Sequence, residues 1–462
     1  MLAVGFYFMR RNKDIDDYYV GGRGMSSGHI GLSVVATDVG GGFSIGLGGL
    51  GFAIGIAGSW MLFTGLIGAW LSAYFLIPKI FGLLRSHKLF TFPEIFYHLF
   101  NSKVALLAAL VSAIGYIGFT GAQILAGAKL ATATFPSLDL QSAVWIMGVT
   151  AVVYTVFGGL KAVIYTDTVQ WIILMAGLIF IGIPMSYFAV GGYDAIRETL
   201  DPSFFDIFNL KWVEFFNWAL TIIPIWFIGM TLYQRIYASR DEATAKRAWF
   251  LAGIFEWPIM AFMGVLLGLF ARVALQQGMF DSLGYTDIGS IDSEMGLPLL
   301  LRSILPVGLM GLMMSAYFSA IMSTADSCLM AASGNVLSDI IGRYTKVPEE
   351  KLLKYSQWVT LFIGTLALLL ATQMTNVLEL MLVSYSFMVS GLFVPLLAAL
   401  FFKRKDPKAA WWSIIIGGST TLVLEVLLMN KLITIPLELN PNLFGISASL
   451  VAYILISKNA KA

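Results

Sequence analysis

Apolar residues in this chain come in long, unbroken runs rather than in stripes or alternation. The runs occupy positions 28–53, 56–78, 104–130, 141–158, 162–190, 213–234, 247–275, 297–338, 355–373, 376–402, 410–430 and 442–457. About 20 apolar residues cross a bilayer as a helix, so each run predicts a spanning helix. The run 297–338 is long enough to extend beyond the membrane. Met1–Met9 is apolar but too short to span, and Arg10, Arg11 and Lys13 follow it, the reverse of a signal peptide. It reads as the inner half of a truncated first helix, which makes about thirteen crossings.

The connectors orient these helices. Those at 10–23, 79–103, 161, 235–247, 343–354, 403–408 and 458–461 hold most of the Lys and Arg. The opposite side carries Lys129, Arg197, Lys211, Arg272, Arg302 and Lys431. The bias predicts that the first set, and with it the C-terminus, is cytoplasmic. Composition agrees: of 462 residues 58% are hydrophobic and 12% charged, about half the charge of a soluble chain. Mean hydropathy is +0.81. The expectation is an all-α polytopic membrane protein in a prokaryotic plasma (inner) membrane, in contact with lipid. A net charge of +2 without a basic block gives no reason to expect nucleic acid, and no obligate protein partner is evident. Cys328 is the only cysteine, and His29, His87 and His98 lack metal-ligand spacing. The absence of a Walker motif argues against ATP as energy source.

Polar residues within the runs carry the chemistry. Ser319, Ser323 and Ser327 recur every fourth residue, with Thr324 and Asp326 beside them, so their oxygens share a helical face. Such hydroxyls could merely let helices approach closely. An acid in lipid costs about 2.5–3.5 kcal/mol, and Asp326 therefore tips the reading towards a sodium ion held by hard oxygens. In the run 28–53, Asp38 precedes Gly40-Gly41-Gly42, where three glycines at about 0.8–1 kcal/mol each favour a break over a continuous helix. Pro224, just before Trp226, predicts a second break in 213–234. Breaks in corresponding helices of two halves mark ion and substrate sites and an inverted repeat. The predicted units are 1–27, the first five helices at 28–190, the second five at 213–402, and two flanking helices at 403–462. Asp167 lies about two turns into its helix, past the Gly158-Gly159 turn. A G-x-G-x-x-G match at Gly46, Gly48 and Gly51 follows no strand, which excludes a dinucleotide loop.

Three motifs together resemble the sodium:solute symporter family over nearly the whole chain. They are Asp16-Asp17-Tyr18-Tyr19-Val20-Gly21-Gly22-Arg23, Tyr154–Gly159 with Thr166-Asp167-Thr168-Val169-Gln170, and Ser323-Thr324-Ala325-Asp326-Ser327. The resemblance implies a leucine-transporter-type 5+5 inverted repeat with flanking helices. It also implies Na+ held by the carbonyls of Ala36 and Val39 with Ala320, Ser323 and Thr324 opposite. In some members a second sodium lies near positions matching Asp167, Ser323, Asp326 and Ser327. Where proline carriers place Tyr, Trp and Tyr, this chain has Phe119, Ile222 and Trp226. Its Val39–Phe43 run is closer to choline-type members, and its Asp38 to proline-type ones. Phe119 with Gln123 one turn on, and Trp226, are the candidate solute wall: aromatic faces suit an ammonium, and the amide suits a carboxylate or hydroxyl. Asp38 is a further ion-pathway candidate. The expected function is sodium-coupled import of a small organic solute such as an amino acid, choline-like compound or carboxylate. The alternative is a non-coupled channel or a solute sensor on the same fold. An intramembrane enzyme has no supporting side-chain set.

Overall fold

A computed structural model describes residues 23–38, 40–158, 160–342, 345 and 349–459. The predicted first helix, the Asp16–Gly22 part of the first motif, Val39 and Gly159 lie outside the described residues. The principal helices are α1 (Ser27–Asp38), α2 (Gly41–Ile54), α3 (Trp60–Leu71), α4 (Ser102–Thr134), α5 (Leu140–Gly158) and α6 (Leu160–Gly177). They continue with α7 (Trp212–Ile228), α8 (Met230–Ala238), α9 (Glu242–Ile254), α10 (Ala261–Gln276), α11 (Val307–Gly334), α12 (Glu349–Ala371), α13 (Val377–Leu400), α14 (Pro407–Met429) and α15 (Pro441–Asn459). Among the described residues, eight helices are long and apolar enough to cross a membrane, or nine with the bent pair α7/α8 as one span. Their outer faces leave Ile114, Phe180, Phe188, Phe362 and Val423 exposed, as a lipid-facing surface requires. The chain is an all-helical integral membrane protein.

Polar caps start several of these helices where the chain enters the apolar layer. Asn101 accepts from the Val104 N–H, Asp241 from Thr244 and Asn376 from Glu379, each satisfying a donor that the first helical turn leaves free. The run 297–338 is two helices, not one. Leu305 precedes Pro306 and is pushed to an extended conformation, with ψ 137°, so the helix Gly296–Ile304 ends there and α11 begins anew.

The first predicted break is present, between α1 and α2 at Gly40. The second is displaced. Pro224 lies inside a continuous α7, and the chain bends by 41° five residues later, at Gly229. Proline should strand the carbonyl of Leu220, four residues back. Here Asn442 of α15 donates its side-chain amide to that carbonyl at 2.9 Å, so the helix survives. At Gly229 two tyrosines take over the freed backbone groups. The Thr231 N–H donates to the Tyr116 hydroxyl at 3.1 Å, and the Tyr233 hydroxyl donates to the Phe227 carbonyl at 2.7 Å. A membrane interior tolerates irregular backbone only when it is satisfied in this way.

Asn442 also accepts from the Ser390 hydroxyl at 2.6 Å. Asn442→Leu is therefore expected to leave the Leu220 carbonyl without its side-chain donor and the Ser390 hydroxyl, which still accepts from Thr421, without its acceptor. The cost should be about 1–3 kcal/mol for each group left bare. A lowered midpoint of thermal unfolding in detergent is the measurement; an unchanged midpoint would show that the proline needs no help.

The glycine run of α2 is a packing surface. Gly46 faces Leu378, Gly48 faces Leu297, and Gly51 lies directly on the Val265 backbone of α10. Gly268 of α10 returns the contact against the Gly48 carbonyl. The two backbones touch without side chains between them, which accounts for the G-x-G-x-x-G match.

Candidate functional site

The polar groups of the core gather around the end of α1 and the middle of α11. The Thr324 hydroxyl lies 3.0 Å from the Ala36 carbonyl across the helix gap and 3.1 Å from the Ala320 carbonyl on its own helix. Three oxygens thus converge at the point where α1 stops. Any side chain at Gly40 would collide with the Thr324 hydroxyl, so only glycine permits this approach. Thr324 is fully buried, and Ala36, Ala320 and Ser323 are buried around it. Of the five predicted ligands for the first sodium, the structure brings together Ala36, Ala320 and Thr324, with Ser323 adjacent. Val39 lies outside the described residues. Hydroxyl and carbonyl oxygens at a helix break are a donor set that fits an alkali cation.

The second predicted group is divided. Asp326 turns towards α5, where the Thr155 hydroxyl donates to its carboxylate at 2.5 Å. Ser327 turns the other way, towards α1 and α8. Consecutive helical residues point about 100° apart, which explains the split. Asp167 is on α6, and its side chain lies outside the described residues.

What faces Ser327 is Arg235, which the charge count had assigned to a cytoplasmic connector. It is instead fully buried, on α8. Its guanidinium donates to Ser327 at 2.9 Å, Thr37 at 2.7 Å, Ser33 at 3.3 Å and the Thr231 carbonyl at 3.2 Å. Its position at the very end of an apolar run hid it, because a hydropathy window assigns edge residues to the loop.

The predicted solute wall is also only partly assembled. Phe119 stacks on Tyr385 of α13 with ring centroids 4.8 Å apart, and Phe43 of α2 closes the group at 6.2 Å from Phe119. Gln123 lies over Gly42, and its amide oxygen is buried with no partner among the described residues. The Tyr385 hydroxyl reaches Asp38 at 3.4 Å. Trp226 is not in this group: its indole packs on Gly68 of α3 and Trp249 of α9. Sequence reasoning also missed Tyr385 and Glu256. Ser384-Tyr385-Ser386 is a polar triplet inside an apolar run, and Glu256 is an acid inside another; both signals were readable. Glu256 is fully buried beside Gly65, and both of its carboxylate oxygens lack a hydrogen-bond partner among the described residues.

Two clefts approach this centre. On the side of the loops before α7 and α13, a cleft of about 380 Å³ is lined by Gly46, Leu50, Glu214, Glu294, Glu379 and Glu425. Its acids attract cations. Glu294 is held there by Lys129 at 2.5 Å and by the first N–H groups of α13. On the other side, a cleft of about 400 Å³ is lined by Arg23, Arg85, His87, Lys88 and Arg240. Neither cleft is lined by Thr324, Phe119 or Gln123.

A sequence model described as the sodium:solute symporter family matches residues 18–417. The high-affinity proline transporter PutP of Bacillus subtilis (strain 168) is 27% identical over 439 residues, covering 92% of this chain and 89% of that protein. The sodium/proline symporter of Escherichia coli (strain K12) is 26% identical over 438 residues, covering 92% and 85%. Among solved structures, a substrate-bound outward-open state of a Na+-coupled sialic acid symporter superposes with a TM-score of 0.78 at 24% identity, covering 99% of this chain and 95% of that one. The last likeness carries the fold.

Proposed function

This chain belongs to the sodium:solute symporter family, and from that premise we propose that it imports a small organic solute with sodium by alternating access. Sodium-coupled symport is the activity; the carbonyls of Ala36 and Ala320 with the Thr324 hydroxyl are the observation that carries it to named residues. Val39 and Ser323 complete the proposed ion shell. The breaks at Gly40 and Gly229 support a 5+5 inverted repeat over 28–190 and 213–402, and the excess of Lys and Arg on alternate connectors supports a cytoplasmic C-terminus in a chain of about thirteen crossings. The acidic cleft on the outer side would gather sodium on its way to the centre.

The solute would lie against Phe43, Phe119 and Tyr385, with the free Gln123 amide oxygen taking a donor from it. Both bacterial relatives named above carry proline, so an amino acid heads the panel, followed by choline-like compounds and carboxylates. Uptake of radiolabelled solutes into vesicles, in sodium and in potassium medium, tests the reading. A panel solute accumulated equally in both media would overturn it. Gln123→Ala is expected to weaken solute binding about tenfold, the loss of one buried hydrogen bond of about 1.4 kcal/mol, with sodium binding little changed. Trp226→Ala is expected to lower sodium and solute binding together, since the indole supports α3 and α9. A loss confined to solute would return Trp226 to the wall.

A further inference from the structure

The outer cleft of about 380 Å³ holds one buried carboxylate that no group answers among the described residues. Glu425, on α14, is only 9% exposed, lines this cleft, and has no hydrogen bond or ion pair there. Its neighbour Glu294 differs, because Lys129 and the N–H groups of Val377 and Leu378 hold it. Glu214 in the first turn of α7 and Glu379 in the first turn of α13 line the same cleft, and among the described residues no basic side chain does. The bases beside it are already engaged, Lys129 with Glu294 and Lys211 with Glu438 at 2.8 Å. An unanswered carboxylate in an apolar layer is costly and calls for a cation.

The lining of the cleft decides which cation. A metal ion needs several oxygens converging on one point. No group of three acidic or histidine side chains among the described residues meets that need, so a small ion is drawn to the cleft without being coordinated in it. What accompanies the acids is Trp218, whose buried indole lines the cleft with Asn440. An aromatic face attracts an organic cation, a carboxylate accepts its N–H groups, and the volume suits a small molecule rather than a bare ion. We propose that this cleft is an outer recognition site for an alkylammonium group, with Glu425 as its counter-charge and Trp218 as its apolar face. Position gives the site a role. Its lining includes Gly46 of α2, one turn from Phe43, which closes the aromatic group with Phe119 and Tyr385. An ammonium-bearing solute would pause there, one helical turn short of the centre. That role rests on the import reading above and deepens it: the solute carries a positively charged nitrogen, and a plain carboxylate is turned away.

The test is equilibrium dialysis of radiolabelled butylamine, an ammonium ion at neutral pH, against purified protein in sodium-free potassium chloride. Saturable binding is expected, and the neutral alcohol 1-pentanol is expected not to compete for it. Glu425→Gln removes the charge at nearly constant shape and is expected to weaken binding about tenfold to a hundredfold. Trp218→Leu is expected to weaken it about fivefold. No saturable binding to the unsubstituted chain would overturn the proposal, and that measurement needs no variant to fold. Unchanged binding to folded Glu425→Gln protein would do the same, since a proton alone would then satisfy that carboxylate. Binding that falls with Gln123→Ala and not with Glu425→Gln would put the amine in the centre and overturn the outer site. Displacement of the amine by millimolar calcium would make the cleft a metal site and equally overturn it. Sodium is absent throughout, so each of these results leaves the sodium-coupled reading standing.

Discussion

Replacing external sodium chloride with potassium chloride is expected to abolish concentrative uptake, and Thr324→Ala to raise the half-saturating sodium concentration between about tenfold and a hundredfold. The first half follows from the energy source. One positive charge entering at about −100 mV gains roughly 2.3 kcal/mol, and a tenfold sodium gradient adds roughly 1.4. Together they hold about a 500-fold gradient of a neutral solute for each coupled ion. The second half follows from geometry. The Thr324 hydroxyl bridges the carbonyls of Ala36 and Ala320, and its removal deletes one oxygen while leaving two that point at each other. A bond to a charged group contributes about 1.5–3 kcal/mol, which sets the stated range. Thr324→Ser restores the oxygen and should recover most of the affinity. Sodium dependence of initial uptake rates is the measurement, and an alanine variant with the unsubstituted half-saturation would remove Thr324 from the ion site.

Gly268→Ala should be among the most damaging single methyls at the described glycines. The added carbon would meet the Gly48 carbonyl, a backbone atom that cannot swing aside as a side chain can. Gly51 meets the Val265 carbonyl in the same way from the other helix. Overpacking a core costs about 1–3 kcal/mol and occasionally more, and here the only relief is to move α10 away from α2. The yield of folded protein and its unfolding midpoint are both expected to fall, with uptake lost because α2 leads from the break at Gly40. By contrast Gly82 and Gly308 have open space around them, so alanine there is expected to be neutral and serves as the control. A folded, transporting Gly268→Ala protein would mean that the two helices have slack.

The helices were legible because lipid allows few alternatives: long apolar runs must become spans, and their ends fall near Asn101, Asp241 and Asn376, which cap them. The break at Gly40 was legible for a local reason, three consecutive glycines. The break at Gly229 was not. Pro224 is the stronger local signal, and it is overruled by Asn442, a residue that no window around the proline contains. Serine spacing picked out a polar, buried face of α11, but spacing cannot say which neighbour each side chain meets. The structure therefore parts Asp326 from Ser327, and it sends Trp226 to Trp249 rather than to Phe119. Arg235 illustrates the limit of charge counting, which treats every arginine near the end of a run as solvated. Its burial depends on Ser33, Thr37 and Ser327, which come from two other helices.

The bond between Asn442 and Leu220 also sets a clock. The two residues are 222 positions apart, so a ribosome adding about 5–20 residues per second completes the second roughly 10–45 s after the first. Throughout that interval α7 is already made while one carbonyl at its proline lacks the amide that will complete it. The helix at the centre of the carrier is thus finished by one of the outermost, and the nascent chain passes through a stage in which its core is present but unsealed. A membrane-embedded protease or chaperone that inspects unfinished proteins would find its opportunity at that stage.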